Sequence, residues 1–371
     1  MSRVRKDICN LSFEEMKEVF CKLGEPPYRA RQIFRWLYNK SLTDFKGMTD
    51  FSRNLTSKLE KMYFIGSLEC QMKEKATDGT SKFLWGLKDG HSIETVLIRQ
   101  GYRRTLCLST QVGCKFGCPF CVSGSKGFVR NLTLSEILGQ ASGAVEADNE
   151  AVTNIVFMGI GEPLDNFDRV AEAVKIFNHP DGFRIGARKI TLSTCGLVPG
   201  ILKLSRMGIQ IELSVSLHAT TDALRNHLVP VNRKFPLEVL FAACEKYTRQ
   251  TGRRVTLEYA VMEGVNDSTG DALRLAGMAA RLNAKVNLIS CNANHSPDFR
   301  GTAQEGLRRF QKSVMTGGVE VTVRRKKGEG IMAACGQLVF DRPGMKPQSK
   351  TGPQENNTRI RGVKAEGIRQ E

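Results

Sequence analysis

Residues Gln111 to Cys121 read Gln-Val-Gly-Cys-Lys-Phe-Gly-Cys-Pro-Phe-Cys, which places Cys114, Cys118 and Cys121 at C-x3-C-x2-C spacing. No other stretch constrains the chain as tightly. Thiolate sulfur is a soft ligand suited to iron–sulfur chemistry, and three thiolates can hold three irons of a [4Fe–4S] cluster. The fourth iron would then be open to a substrate. Gly113 and Gly117 supply the backbone freedom that a loop wrapped around a cluster requires. The competing readings are a zinc knuckle and three unrelated buried thiols. Structural zinc sites use four ligands, commonly in paired C-x2-C units, and no second pair is visible here.

Charge narrows the partner. The 371 residues carry 55 Lys and Arg against 38 Asp and Glu, a net charge of +17. A field of that size favours a polyanion, most simply nucleic acid. No run of about 18 apolar residues is present, so no membrane span is expected. The start, Met1-Ser2-Arg3-Val4-Arg5-Lys6-Asp7, has no apolar signal region. Eleven cysteines, an odd number without a secretory signal, argue against a disulfide framework and for a reducing, cytoplasmic compartment. Nothing points to oligomerisation, and a monomer is the default expectation.

Taken in order, residues 1–65 read as a small helical unit. Ser12-Phe13-Glu14-Glu15 is a capping box that opens a helix ending near Leu23, before Gly24. A second helix from Tyr28 to Tyr38 has a basic face of Arg29, Arg31 and Arg35, followed by Lys40, and offers Ile33, Phe34, Trp36 and Leu37 to the first helix. A third runs from Phe51 to Met62. With this charge the unit is expected to bind RNA. Residues 66–103 alternate with the period of strands at Ser67–Lys73, Ser81–Leu87 and His91–Arg99, with turns at Asp78-Gly79 and Asp89-Gly90. They read as a β-meander linker.

From about residue 104 to 340 the pattern is strand, loop, helix, repeated. Strands are predicted at Arg104–Thr110, Thr153–Met158, Lys189–Thr194, Gln210–Leu217, Arg254–Val261 and Lys285–Ser290, with Glu320–Val323 as a further candidate. Helices follow at about 133–147, 167–177, 198–206, 236–250, 269–282 and 303–316. Six such units make an α/β fold of partial (β/α)6 barrel type, whose chemistry belongs at the C-terminal ends of the strands. Thr105, Cys107 and Ser109 share one strand face, as do Ser214, Ser216 and His218 on another, opposite Leu213, Val215 and Leu217. Polar residues inward fit a lumen that holds a polar ligand. Residues 341–371 are basic, poor in apolar residues, and expected to be disordered.

Further segments join the cysteine loop: Gly24-Glu25-Pro26-Pro27-Tyr28-Arg29-Ala30-Arg31-Gln32, Ile93-Glu94-Thr95-Val96, Arg130-Asn131-Leu132-Thr133, Met158-Gly159-Ile160-Gly161-Glu162-Pro163-Leu164, Ser214-Val215-Ser216-Leu217-His218-Ala219 and Ala333-Ala334-Cys335-Gly336-Gln337-Leu338. Together, from Leu11 to Leu338, they resemble the large-subunit ribosomal RNA methyltransferase N (RlmN) family of the radical S-adenosylmethionine (SAM) superfamily. The resemblance implies a radical-SAM barrel, a [4Fe–4S] cluster on Cys114, Cys118 and Cys121, and SAM as both methyl donor and radical source. It implies methylation of C2 of an adenine in 23S rRNA and in tRNA, and an external electron donor such as flavodoxin or ferredoxin. Cys335 matches the cysteine that is methylated and attacks the base. Cys107 matches the cysteine that releases the product, forming a Cys107–Cys335 disulfide. Glu94 matches the proton acceptor. Gly161, Glu162, Ser193, Ser216, Leu217, His218 and Asn292 match positions around SAM. Val122-Ser123-Gly124 and Leu288-Ile289-Ser290-Cys291 depart from the family's usual text. The related Cfr-like class, which methylates C8 of the ribosomal adenine, shares both cysteines and the cluster, so the catalytic residues do not separate the two.

Overall fold

Seven parallel strands form one wall of the molecule and continue, without interruption, into three antiparallel ones. The computed structural model describes residues 4–292, 299–324, 327–328 and 330–338; the tail expected to be disordered lies outside them. The antiparallel strands are β1 (Glu69–Lys75), β2 (Ser81–Gly86) and β3 (Ser92–Gln100). The parallel ones are β4 (Arg103–Cys107), β5 (Asn154–Phe157), β6 (Ile190–Thr194), β7 (Glu212–Ser216), β8 (Thr256–Val261), β9 (Lys285–Ser290) and β10 (Val321–Arg324). Their order in the sheet is their order in the chain. The meander is therefore the edge of the barrel sheet rather than a separate linker: β3 pairs with β4 and sets Val96 opposite Cys107.

Helices cover the outer face. Three belong to the N-terminal unit: α1 (Phe13–Lys22), α2 (Tyr28–Phe34) and α3 (Arg53–Met62). The barrel adds α4 (Leu134–Asp148), α5 (Phe167–Asn178), α6 (Val198–Leu204), α7 (Asp222–Leu228), α8 (Leu237–Thr251), α9 (Thr269–Arg281) and α10 (Gln304–Met315). Their starts follow local chemistry. Ser12 and Thr133 close full capping boxes with Glu15 and Glu136, and Ser52 and Ser268 cap α3 and α9. Among the described residues no helix is long and apolar enough to cross a membrane.

Strand alternation sorts the two faces. Leu106, Ile155, Leu192, Leu213, Val215, Leu217, Leu257, Val286 and Leu288 are buried in the main core between sheet and helices. Cys107, Ser193, Ser216 and Glu258 point the other way, into the lumen. The sequence reading missed several short elements, two of them beside the site. Gln111–Gly113 pairs with Phe128–Asn131 in a hairpin that frames the cysteine loop, and α7 follows β7 immediately. Both are too short for periodicity to reveal. The second N-terminal helix ends at Phe34 and relaxes into a π-helical turn, Arg35–Asn39. Ile33, Phe34 and Leu37 are buried as expected. Trp36 is partly buried and packs against the same core, while its Nε1 donates to Asp50 Oδ1 at 2.6 Å beneath Lys40. The basic face is partly tied up: Arg29 pairs with Glu25, and Arg31 and Arg35 both reach Asp181.

Candidate active site

The three cysteines of the loop border one cavity of about 190 Å³ at the C-terminal ends of the barrel strands. The backbone arrives there by close approach. A Cβ on Gly159 would lie 2.7 Å from the carbonyl carbon of Leu108, and one on Gly161 2.5 Å from Gln111 Cβ. Glycine is required at both places for the β5 loop to pass against the end of β4. Gln111 then ties the parts together. Its Nε2 donates to Asn131 Oδ1 and Asp165 Oδ2, both at 2.8 Å, and its Oε1 accepts from Glu162 N at 2.9 Å.

Cys114, Cys118 and Cys121 keep some surface, yet the walls around them desolvate all three thiols. The pKa of Cys114 is pushed up to about 11, and those of Cys118 and Cys121 rise for the same reason. Loading such thiols with metal must drive off their protons. Among the described residues no three His, Cys, Asp or Glu side chains are gathered to share one metal ion. The three thiols line one cavity wall, where each thiolate can take a different iron of a multi-iron cluster.

Around the same cavity lie Gly161, Glu162, Ser193, Ser216, His218, Asn292 and Cys335. The Ser193 and Ser216 hydroxyls are 3.4 Å apart. Glu162 is buried, and its carboxylate accepts from Leu164 N at 3.0 Å and Cys195 N at 2.8 Å. Burial raises its pKa, while those N–H bonds work in the opposite direction. His218 holds a left-handed backbone, φ +57°, uncommon for a residue with a Cβ and a mark of a constrained strand end. Its Nδ1 accepts from Ala260 N at 3.0 Å, which leaves Nε2 as the protonated nitrogen. Burial, aided by the Arg225 charge, lowers its pKa to about 3, so it is a neutral donor at physiological pH. The Leu217 side chain lies in the core on the opposite strand face, and its carbonyl accepts from Arg225.

Cys107 opens onto a second, smaller cavity of about 30 Å³ that shares Met158, Ile289, Asn292, Arg324 and Cys335 with the first. Burial and the neighbouring Cys335 raise its pKa. Asn292 Nδ2 donates to the Cys335 carbonyl at 3.1 Å. The segment carrying Cys335 also docks on the cluster loop: Val122 N donates to Gly336 O at 2.9 Å and Ser123 Oγ to Leu338 O at 2.6 Å. Glu94 borders neither cavity. It is buried on β3, on the strand face of Val96 that meets Cys107, with Lys82 Nζ 3.5 Å from Oε1.

Three residues at this end escaped the sequence reading. Glu258 and Arg324 both line the larger cavity. Glu258 Oε2 accepts from Asn287 Nδ2 at 2.7 Å, and its pKa is raised by burial. A lone carboxylate inside the otherwise apolar Leu257–Val261 was the available signal. Asn266, without exposed surface, donates to the carbonyls of His218 and Ala260 at 2.8 Å and accepts from Met262 N at 2.7 Å.

Known proteins resemble this chain along most of its length. Residues 6–65 match the family described as Ribosomal RNA large subunit methyltransferase N-terminal domain, and residues 108–276 match the Radical SAM superfamily. A probable dual-specificity RNA methyltransferase RlmN from Moorella thermoacetica is 46% identical over 345 residues, covering 91% of this chain and 98% of the relative. One from Thermoanaerobacter sp. (strain X514) is 43% identical over 330 residues, covering 89% and 96%. A crystal structure of a radical SAM methyltransferase from Sphaerobacter thermophilus superposes with a TM-score of 0.85 at 42% identity, over 90% of this chain and 99% of that one.

Proposed function

The chain belongs to the RlmN family of radical SAM RNA methyltransferases, and from that premise we propose that it methylates C2 of an adenine in 23S rRNA and in tRNA, through a methylated Cys335 and an RNA adduct that Cys107 resolves. As a family member it uses a [4Fe–4S] cluster and SAM. When bound, that pair supplies an electrophilic methyl group and a carbon radical. The rest falls to the protein. Cys114, Cys118 and Cys121 would hold the cluster. Gly161 and Glu162 would meet the amino group of SAM, and Ser193, Ser216, His218 and Asn292 would orient its remaining polar groups.

C2 of adenine lies between two ring nitrogens and is electron-poor, so a methyl cation equivalent finds no nucleophile there. Cys335 therefore accepts the methyl group first, and once a hydrogen atom has been taken from that methyl group its carbon can bond to C2. Glu94, which borders neither cavity, is the family-matched acceptor of the C2 proton and would act once RNA binding brings the base and this carboxylate together. Attack of the Cys107 sulfur on the Cys335 sulfur breaks the carbon–sulfur bond; the freed carbon takes up a proton to become the methyl group, the adduct's unpaired electron would pass back to the cluster, and the disulfide is left for an external reductant to open. The observation that carries this reading is the position of Cys335, which borders both the cavity of the cysteine loop and the smaller one containing Cys107.

The experiment is a pair of variants incubated anaerobically with SAM, reductant and RNA. Cys107→Ala should accumulate a covalent protein–RNA species linked at Cys335, and Cys335→Ala should accumulate none. Equal RNA release from Cys107→Ala and the unaltered enzyme would sink the resolving role. Nucleoside mass analysis fixes the position: 8-methyladenosine without 2-methyladenosine would transfer the chain to the Cfr-like reading.

A further inference from the structure

Arg225, in α7, has no exposed surface. It sits behind the ends of β6 and β7 and does not border the cavity. Its Nε donates to Leu217 O at 3.1 Å, and Nη2 to Cys195 O at 2.7 Å and Ser216 O at 3.1 Å. Nη1 donates to Asn232 Oδ1 at 2.8 Å. All four acceptors are neutral, and among the described residues no carboxylate forms an ion pair with it. Asp222 reaches it only through Asn232, whose Nδ2 donates to Asp222 Oδ1 at 2.8 Å. A buried cation is costly unless another charge compensates it.

Asp222 is one nearby charge, and the cysteine loop offers a second location. Leu228 and Val229, at the end of α7, pack in the same apolar group as Phe116, Cys118, Phe120 and Cys195. The helix thus backs the cysteine loop, and Arg225 Nη2 bonds the carbonyl of Cys195, whose side chain packs in that same group beside Cys118. We propose that Arg225 is the buried counter-charge of the cluster held by Cys114, Cys118 and Cys121, a positioning residue that raises the potential at which the cluster accepts its electron. The proposal rests on that ligand assignment. Reduction adds negative charge, and a fixed cation in a poorly polarisable surround favours the reduced form. Charge, hydrogen bonding and burial around a cluster are what set its potential. A carboxylate partner for Arg225 would cancel this field, whereas carbonyl partners hold the guanidinium in place and leave its charge intact. Because Arg225 lies behind the wall, it acts through its field, and SAM binding should not depend on it.

The test is a mediated dithionite titration of the anaerobically reconstituted full chain without SAM, followed by electron paramagnetic resonance. Arg225→Gln keeps donors and removes the charge; Arg225→Lys keeps the charge. Asp222→Asn removes the carboxylate behind Asn232 and should strengthen the field. At a fixed poise the reduced-to-oxidised ratio should fall at least tenfold in Arg225→Gln, about 59 mV for a one-electron couple. It should stay near that of the unaltered enzyme in Arg225→Lys and rise in Asp222→Asn. SAM affinity of the oxidised protein should be unchanged throughout. An Arg225→Gln protein that holds its cluster and titrates like the unaltered enzyme overturns the proposal. So does a loss of SAM affinity at constant potential, which would make Arg225 a partner of the SAM carboxylate. If Arg225→Gln takes up no cluster, Asp222→Asn decides, and an unmoved potential overturns the proposal. Unaltered protein that binds no four-iron cluster refutes the ligand assignment instead, before any variant is made.

Discussion

The N-terminal unit and the barrel mouth both hold arginine, but they dispose of its charge in opposite ways. Arg31 and Arg35 are more than half exposed and share one carboxylate, Asp181, at 2.8 and 2.7 Å. Arg225 is fully buried and has only carbonyl and amide acceptors. An exposed pair gains little because water and salt already screen it. A buried polar group must be satisfied within the fold, and each unmade bond has a large effect. The ion pairs between the helical unit and the barrel can thus be lost cheaply, while the shared apolar core, with Phe13 and Phe34 on His179 and Tyr38 on Phe183, holds the two together. The barrel mouth is held by polar contacts that cannot be lost cheaply.

The sharpest way to break that contrast is Asn266→Ala. Its side chain closes three buried hydrogen bonds between the ends of β7 and β8, one of them to the His218 carbonyl. Removal leaves two carbonyls and one N–H unpaired in the core, at a cost of about 3 kcal/mol. Denaturant unfolding should show that loss, together with weakened SAM binding as His218 leaves its left-handed conformation. A loss below about 1 kcal/mol, the range of surface pairs, would erase the distinction drawn here.

A smaller effect comes from His218, whose pKa in the fold is about 3. The unfolded chain titrates near the ordinary histidine value of about 6.5. Above that value both states are neutral there and the group contributes no slope. Below it the unfolded state binds the extra proton, so stability falls with pH by up to about 1.4 kcal/mol per unit until the folded pKa is reached. Between pH 6.5 and 5 the loss should be about 2 kcal/mol, and His218→Gln should flatten that part of the stability profile. An unchanged profile would mean that His218 is charged in the fold.

The same contrast explains what the sequence could reveal. The cysteine loop, the strand faces carrying Cys107, Ser216 and His218, and the helix starts at Ser12 and Thr133 depend on neighbours a few residues away. Spacing and capping chemistry therefore display them. Arg225 is different: an arginine in Asp222–Leu228 reads as a solvated helix charge, and only the packing of α7 under the loop buries it. Arg31 and Arg35 looked like a free basic face because Asp181 lies far along the chain. The meander looked like a linker because pairing of β3 with β4 is a property of the folded sheet. Leu217 matched a motif position, yet strand alternation turns its side chain to the core. Cys335 and Cys107 became recognisable through motifs, while their approach to a shared cavity required the closed barrel.

Asp181 offers the smallest effect and tests the other half of the comparison. Burial works to raise its pKa, but hydrogen bonds and charge from Arg31 and Arg35 outweigh this and hold it below the ordinary aspartate value. A carboxylate with a depressed pKa stabilises the fold above its unfolded value, about 3.9, and that contribution disappears as pH falls through the lower, folded one. At neutral pH the pairs are therefore fully formed, yet both arginines are solvent-screened. Asp181→Asn should cost no more than about 1 kcal/mol, and less as salt is raised. Its clearer consequence should be on RNA. Releasing two guanidinium groups from their carboxylate gives the α2 face two more cations for phosphate, so binding should tighten and its salt dependence steepen. Measuring RNA affinity of Asp181→Asn across a salt series checks this. Weaker binding would mean that Arg31 and Arg35 serve by fixing the helical unit on the barrel, and not by meeting RNA.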